Sequence, residues 1–219
     1  MHTKTKQTDI AAIRMEYEMA QLGEEDIAAD AFIQFRKWFD EAIERHVLEP
    51  NAMALSTVSA DGKPSSRIVL LKELDSRGFS FFTNYKSQKG KELDNRPYAA
   101  LLFFWPELQR QVRITGSVEK VTAQESDAYF KSRPKGSRLG AIASPQSEEI
   151  ENREWLDSQL ADLEKNYADT DDVPRPAHWG GYRLVPDRLE FWQGRKSRLH
   201  DRLVYERDRS GWNVSRLAP

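Results

Sequence analysis

Leu189-Glu190-Phe191-Trp192-Gln193-Gly194-Arg195-Lys196-Ser197-Arg198-Leu199-His200-Asp201-Arg202 holds two alternating segments separated by a glycine. Leu189 and Phe191 fall on one face of an extended chain, and Glu190 and Trp192 on the other. Gly194 permits a turn. Beyond it the alternation resumes with charge: Arg198, His200 and Arg202 share one face at period two, and Leu199 opposes them. Two guanidiniums and an imidazole in a row form an anion site, because Arg offers forked donors that match phosphate or carboxylate. The alternative is an exposed edge strand whose charges deter aggregation.

Working outward, residues 179–184, 188–193, 199–206 and 212–217 read as four short strands, with Arg209-Ser210-Gly211 as the last turn. Upstream, period-two alternation marks Met53, Leu55 and Thr57 and the long strand 111–121, 67–72 reads as a strand with a basic residue at each end, 79–83 follows a turn at Gly78, and 98–105 is nearly continuous apolar, as in a buried strand. Asp61-Gly62 is a hairpin turn signal. Helices are fewer. Residues 30–46 carry Phe32, Phe35, Phe39, Ala42 and Ile43 as one stripe, with Asp30 as N-cap. A short helix near 84–93 has Asn84 or Ser87 as cap and Pro97 beyond its end. Thr122 and Glu125 form a capping box opening a helix to about Lys131. Residues 132–137 read as a donor-rich loop, and 148–167 as a long helix with Trp155, Leu156, Leu160 and Leu163 on its apolar face. Residues 1–25 are expected to be a flexible arm or flap, and 26–219 a single domain. Many antiparallel strands with few helices imply a mainly β barrel with helices on its outside.

The 219 residues are 39% hydrophobic and 31% charged, and 33 Lys and Arg against 35 Asp and Glu leave a net charge of −2. That balance argues against a general nucleic-acid or anionic-membrane binder. Cysteine is absent, which excludes disulfides and thiolate metal sites and suits a cytoplasmic protein. The four histidines show no ligand spacing, so no metal is expected. Neither G-x-G-x-x-G after a strand nor a P-loop occurs, so a nucleotide-like phosphate must be held by side chains. A G-x-S-x-G elbow and a cysteine nucleophile are also missing.

Three constellations remain. Arg67 and Lys72 flank an apolar strand, and Ser87 and Lys89 lie at the start of a short helix, where free N–H groups favour an anion. Tyr129, Arg133 and Ser137 surround the donor-rich loop and can cradle a second phosphate. Gln111, Gln146, Ser147 and Trp192 offer amides, a hydroxyl and an indole suited to the edge and face of a heteroaromatic ring. Taken singly, each also reads as ordinary surface or core. Such a donor set binds phosphorylated ligands and leaves the hard chemistry to a cofactor.

These segments resemble, in order and over nearly the whole chain, the pyridoxamine/pyridoxine 5′-phosphate oxidases. The matching motifs are R-I-V-L-L-K (67–72), F-x-T-N-x-x-S-x-K (81–89), R-Q-V-R-I-x-G (110–116), Y-F-x-S-R-P (129–134), S-x-Q-S (144–147), W-G-G-Y-R (179–183), the E-F-W…R-L-H-D-R stretch and the closing R-L-A-P (216–219). The resemblance implies an antiparallel Greek-key split barrel that binds FMN at a homodimer interface. By the same resemblance Arg67, Ile68, Val69, Leu70, Leu71, Lys72, Phe82, Thr83, Ser87, Gln88 and Lys89 line or bind FMN. Gln111, Trp192 and Arg202 also contact it, with Gln146 and Ser147 from the partner. Lys72, Tyr129, Arg133 and Ser137 bind the substrate phosphate, Arg198 and His200 sit over the pyridine ring as the catalytic pair, and Arg14 and Tyr17 belong to a covering flap. The implied activity is oxidation of a phosphorylated B6 vitamer by O2. Two positions depart from the family pattern: Phe82 replaces a common Tyr, and Gln88 replaces a common Arg or Lys. The loss of charge at 88 implies weaker FMN retention. A nicotinamide-dependent flavin reductase and a non-catalytic flavin or pyridoxal phosphate carrier are the alternatives.

Overall fold

The structure, a computed structural model, describes residues 16–219. Nine strands form one antiparallel sheet with the path β2-β1-β5-β6-β7-β4-β3, and β8 and β9 extend it from β7. The strands are β1 (Ala52–Val58), β2 (Pro64–Leu70), β3 (Glu73–Asp75), β4 (Gly78–Asn84), β5 (Tyr98–Trp105), β6 (Arg110–Lys120), β7 (Trp179–Gln193), β8 (Asp201–Arg207) and β9 (Trp212–Arg216). The two ends of that path, β2 and β3, are neighbours in the chain, separated only by Leu71 and Lys72. A flat sheet cannot place its opposite edges two residues apart, so the sheet curls into a barrel. Leu71 N–H donates to Asn51 O at 2.8 Å, beside β1, and Lys72 N–H to Ser80 O at 2.9 Å, extending the β3–β4 pairing, so the chain passes from one edge to the other between these two residues.

Alternation fills the interior. Met53, Leu55 and Thr57 of β1 are buried, and β6 turns Val112, Ile114 and Val118 inward. The first helix, α1 (Ala31–Glu44), covers one part of this core. Asp30 caps it, accepting from Phe32 N–H at 2.8 Å and Ile33 N–H at 3.0 Å. Phe35, fully buried, meets Phe79 at 4.9 Å and Phe103 at 5.0 Å edge to face. The buried face is Phe35, Trp38 and Ala42, whereas Ile43 is 51% exposed. The expected stripe was thus rotated by part of a turn, because Trp38 seats against Phe191 at 5.2 Å.

Other expectations change in detail. Ser87 is the cap of α2 (Gln88–Asn95), and the capping box at Thr122 and Glu125 opens α3 (Ala123–Ser132). The expected loop at 132–137 is instead the entry to α4 (Lys135–Ala143), two glycines having hidden a helix anchored by buried Leu139. The long helix begins later, as α5 (Arg153–Asn166) with Asn152 as cap, so Gln146 and Ser147 precede it in a turn. Residues 179–184 and 188–193 are one strand. It bends at a bulge where Thr115 faces Arg188 and Gly116 faces Pro186, leaving Asp187 as the extra residue. A side chain at Gly116 would strike Val185 O at 2.1 Å, so the crossing needs glycine. No helix among the described residues is long and apolar enough to cross a membrane.

Candidate active site

A cleft of about 880 Å³ opens beside β2, bounded by β4, α2, α3 and α4. Its size falls in the roughly 300–1,000 Å³ range of small-molecule sites. Arg67, Ile68, Val69, Leu70, Lys72, Phe82, Thr83, Lys89, Tyr129, Arg133, Ser137, Gln146 and Ser147 all line it. Residues far apart in sequence therefore meet in one cavity. Leu71 does not; it is a core residue, 7% exposed.

Lys89 is the buried cation of this cleft. Its Nζ donates to Thr83 Oγ1, Ser87 Oγ and Gln146 Oε1, each at 3.3 Å, and all three acceptors are neutral. Burial, then the nearby Arg67, pull its pKa below the usual lysine value, although Glu92 opposes them. Ser87 and Gln88 stand behind the cleft: Ser87 Oγ accepts from Gly90 N–H, and Gln88 Nε2 donates to Glu92 Oε1 at 2.9 Å. Glu92 also accepts from Thr57, Ser65 and Arg67. Burial raises its carboxyl, but these bonds outweigh burial and hold it below its ordinary value. Arg67 is thereby pinned at 3.3 Å from a carboxylate, while Lys89 has none within ion-pair distance among the described residues. Gln146 reaches Thr83 and Lys89 within the same chain, so the partner-subunit origin implied for it does not apply to these contacts.

The second cationic group centres on Arg133, the C-cap of α3. Its guanidinium carbon lies 4.8 Å from the Trp179 ring centroid and 5.7 Å from that of Phe130. Nη1 is buried with no hydrogen-bond partner, and burial lowers the pKa of the group. A buried donor left unpaired costs about 1–3 kcal/mol, more when charged, which a bound anion would recover. Phe82 stacks on Tyr129 at 4.0 Å and on Trp179 at 5.6 Å, forming an aromatic wall. Trp179 lacked an assigned role in the sequence reading; its one signal was a Trp beside two glycines.

Gln111, Trp192, Arg198, His200 and Arg202 do not line this cleft. Phe104, Gln111, Trp192 and Arg202 are successive register partners across β5, β6, β7 and β8, and so form one cross-strand row. Arg202 is held by Glu190, 1% exposed, whose carboxylate also takes Arg188 at 3.1 Å and Arg113 at 3.4 Å. Arg198 leaves the alternation expected of it. Ser197 and Arg198 are left-handed, at φ 56° and 61°, in a tight turn before β8. His200 packs on Trp192 at 4.6 Å and Tyr17 on both rings at 5.9 Å. Arg195 N–H donates to His200 Nδ1 at 3.1 Å, which leaves the ring proton on Nε2. Of the expected flap, Tyr17 is tied to this turn, with Glu18 paired to Lys196 at 2.9 Å, and Arg14 lies outside the described residues.

A barrel of this topology with a polar cleft on its side is an FMN-type split barrel. Its likeness to an FMN-binding, pyridoxamine 5′-phosphate oxidase-related protein from Nostoc punctiforme supports the fold, at TM-score 0.68 and 16% identity over 84% of this chain and 97% of that one. The family profile described as "Pyridoxamine 5'-phosphate oxidase" matches residues 39–166, and "Pyridoxine 5'-phosphate oxidase C-terminal dimerisation region" matches 179–219. The chain is 59% identical to a pyridoxine/pyridoxamine 5′-phosphate oxidase of Burkholderia multivorans, covering 97% of this chain and all of that one. A Cyanothece protein of the same name is 57% identical, covering 96% of this chain and 98% of the relative. PhzG from Burkholderia lata, solved with tetrahydrophenazine-1-carboxylic acid, superposes at TM-score 0.84 with 35% identity, covering 89% and 95% of the two chains. The chain belongs to the pyridoxamine 5′-phosphate oxidase family.

The donor set fits a phosphorylated flavin. Lys89 is a buried ammonium facing only neutral oxygens, and Arg67 lines the same cleft. Ile68, Val69 and Leu70 offer an apolar strand edge beside them.

Proposed function

We propose that the protein is an FMN-dependent oxidase that converts pyridoxine 5′-phosphate or pyridoxamine 5′-phosphate to pyridoxal 5′-phosphate. The observation that carries this reading is the pair of cationic groups in one cleft: Lys89 with Arg67, and Arg133 with its unpartnered Nη1. Two phosphates, one on a cofactor and one on a substrate, match two such groups. Bound FMN supplies the two-electron acceptor and a route to O2, with hydrogen peroxide as product. The amine substrate also consumes water, since its nitrogen leaves as ammonia.

The side chains have distinct tasks. Arg67 and Lys89 grip the cofactor phosphate. Lys72, Tyr129, Arg133 and Ser137 take the substrate phosphate, and orienting the bound ring is worth several kcal/mol of barrier. Arg198 stabilises negative charge on the ring hydroxyl. His200, its proton on Nε2, donates to the substrate. In this reading Gln111, Trp192, Arg198, His200 and Arg202 reach the cleft from the second protomer of a homodimer. The matched C-terminal dimerisation region, which contains all of these except Gln111, supports that arrangement.

The test is the visible spectrum of the purified protein. Flavin bands that bleach anaerobically on adding pyridoxine 5′-phosphate, and recover in air with peroxide release, are expected. Bleaching by NAD(P)H alone would replace this reading with a reductase. Arg198→Ala should raise KM and lower kcat with FMN still bound.

A further inference from the structure

Arg133 carries five N–H donors in its guanidinium, and none of them makes a hydrogen bond to a described residue. No carboxylate lies within ion-pair distance of it among those residues either. What the group touches is aromatic: the Trp179 ring on one side and the Phe130 ring on another. A guanidinium held over aromatic rings and not by a carboxylate keeps its N–H donors uncommitted, and those donors are what fork onto a phosphate.

Trp179 is itself fixed. It is 6% exposed, stacks nearly parallel to Tyr129 at 9° and to Phe82 at 15°, and receives the edge of Phe130 at 5.0 Å. The two residues after it have no side chain to spare. A Cβ at Gly180 would lie 2.1 Å from the Tyr85 hydroxyl, and one at Gly181 would lie 2.7 Å from the Phe82 ring. The backbone that follows the indole is thus packed closely against Tyr85 and Phe82.

We propose that Trp179 is a positioning residue for the substrate's phosphate ester, acting through Arg133 by holding the guanidinium over its ring and leaving the N–H donors uncommitted. This rests on the reading of Arg133 as the substrate-phosphate ligand. It adds that the anchor needs an aromatic platform rather than a carboxylate. A carboxylate partner would hold the arginine equally well but would compete with the phosphate for its donors. A desolvated cation–π contact to Trp is the strongest of its kind and leaves the group's charge uncancelled.

The experiment uses the FMN-loaded enzyme with Trp179→Leu, Trp179→Phe, Arg133→Ala and the Trp179→Leu/Arg133→Ala pair. Steady-state kinetics with pyridoxine 5′-phosphate are measured together with competitive inhibition by inorganic phosphate. Loss of the indole should raise KM and the phosphate inhibition constant together, by roughly 3- to 30-fold, with kcat and bound FMN little changed. Trp179→Phe should retain a weaker platform and show a smaller rise. On the Arg133→Ala background Trp179→Leu should add almost nothing, because the two residues act as one unit. An equal KM rise with and without Arg133 would overturn the proposal, as would unchanged KM in both Trp179 variants. If Trp179→Leu cannot be purified folded, the Trp179→Phe comparison on both backgrounds decides. Should the parent fail to oxidise the ester at all, the functional reading falls separately. Inorganic phosphate binding to the parent and Trp179→Phe then still tests the Trp179–Arg133 link.

Discussion

Gln88 stands one residue before the buried Lys89 and spends its amide on Glu92 rather than on the cleft. Glu92 therefore draws its cationic partner from Arg67 alone among the described ion pairs. An arginine at 88 would give Glu92 a second guanidinium and loosen its hold on Arg67. Charge-assisted hydrogen bonds are worth about 1.5–3 kcal/mol. Gln88→Arg should then lower the FMN dissociation constant by roughly tenfold or more, read from quenching of flavin fluorescence; unchanged binding would exonerate Gln88. His200 makes a pH prediction. Burial, then Arg198, lower its pKa from an ordinary value of 6.5, against a smaller opposing effect of Asp201. A histidine that binds its proton less readily when folded adds stability that is complete above the unfolded pKa and is lost as pH falls toward the folded one. Protonating Nδ1 would also break the bond from Arg195 N–H. An NMR titration should place the His200 midpoint below 6.5, with stability declining as pH drops through that range. A midpoint at or above 6.5 would contradict the burial argument.

At the scale of elements, the strands were legible because period two is a direct imprint of one buried face, as Met53, Leu55 and Thr57 show. The helices were less so. Gly136 and Gly140 lower helix propensity enough to make α4 resemble a loop, and only packing of Leu139 reveals it. Pro186 split β7 on paper, whereas in the fold it sits at a bulge, where a missing N–H is tolerated. Gly140 lines the cleft, and a Cβ there would meet nothing within 4 Å. Gly140→Ala should raise stability by about 0.4–1 kcal/mol in a denaturant melt, by restricting the unfolded chain. Phe35→Ala, at the meeting of α1 with β4 and β5, should cost about 3–5 kcal/mol in the same measurement.

For the whole molecule, the cationic residues of the site were legible one by one, since each stands in a recognisable motif. Their division was not. Nothing in the linear order says that Arg67 and Arg133 share a cavity while Arg198 and Arg202 lie elsewhere in the same chain; that follows from how the sheet curls. Glu190 was read only as one face of a strand, yet it is a buried carboxylate among three arginines, a role visible only once β6, β7 and β8 are side by side. If the row containing Gln111, Trp192 and Arg202 completes the cleft of a second protomer, its exposed member Phe104 lies in that contact. Phe104→Asp should shift sedimentation toward the monomer and weaken FMN retention in step. A dimer that persists with full flavin content would place the contact elsewhere.

Leu71 and Lys72 are the whole of the connection between the sheet's first and last staves. One of them is packed inside the barrel and the other lines the cleft. Adding or deleting a single residue there would swap those orientations and move the seam at the same time. Length variation in natural or engineered versions of this chain should therefore gather in distal connections such as the hairpin around Gly62, leaving this dipeptide link at constant length.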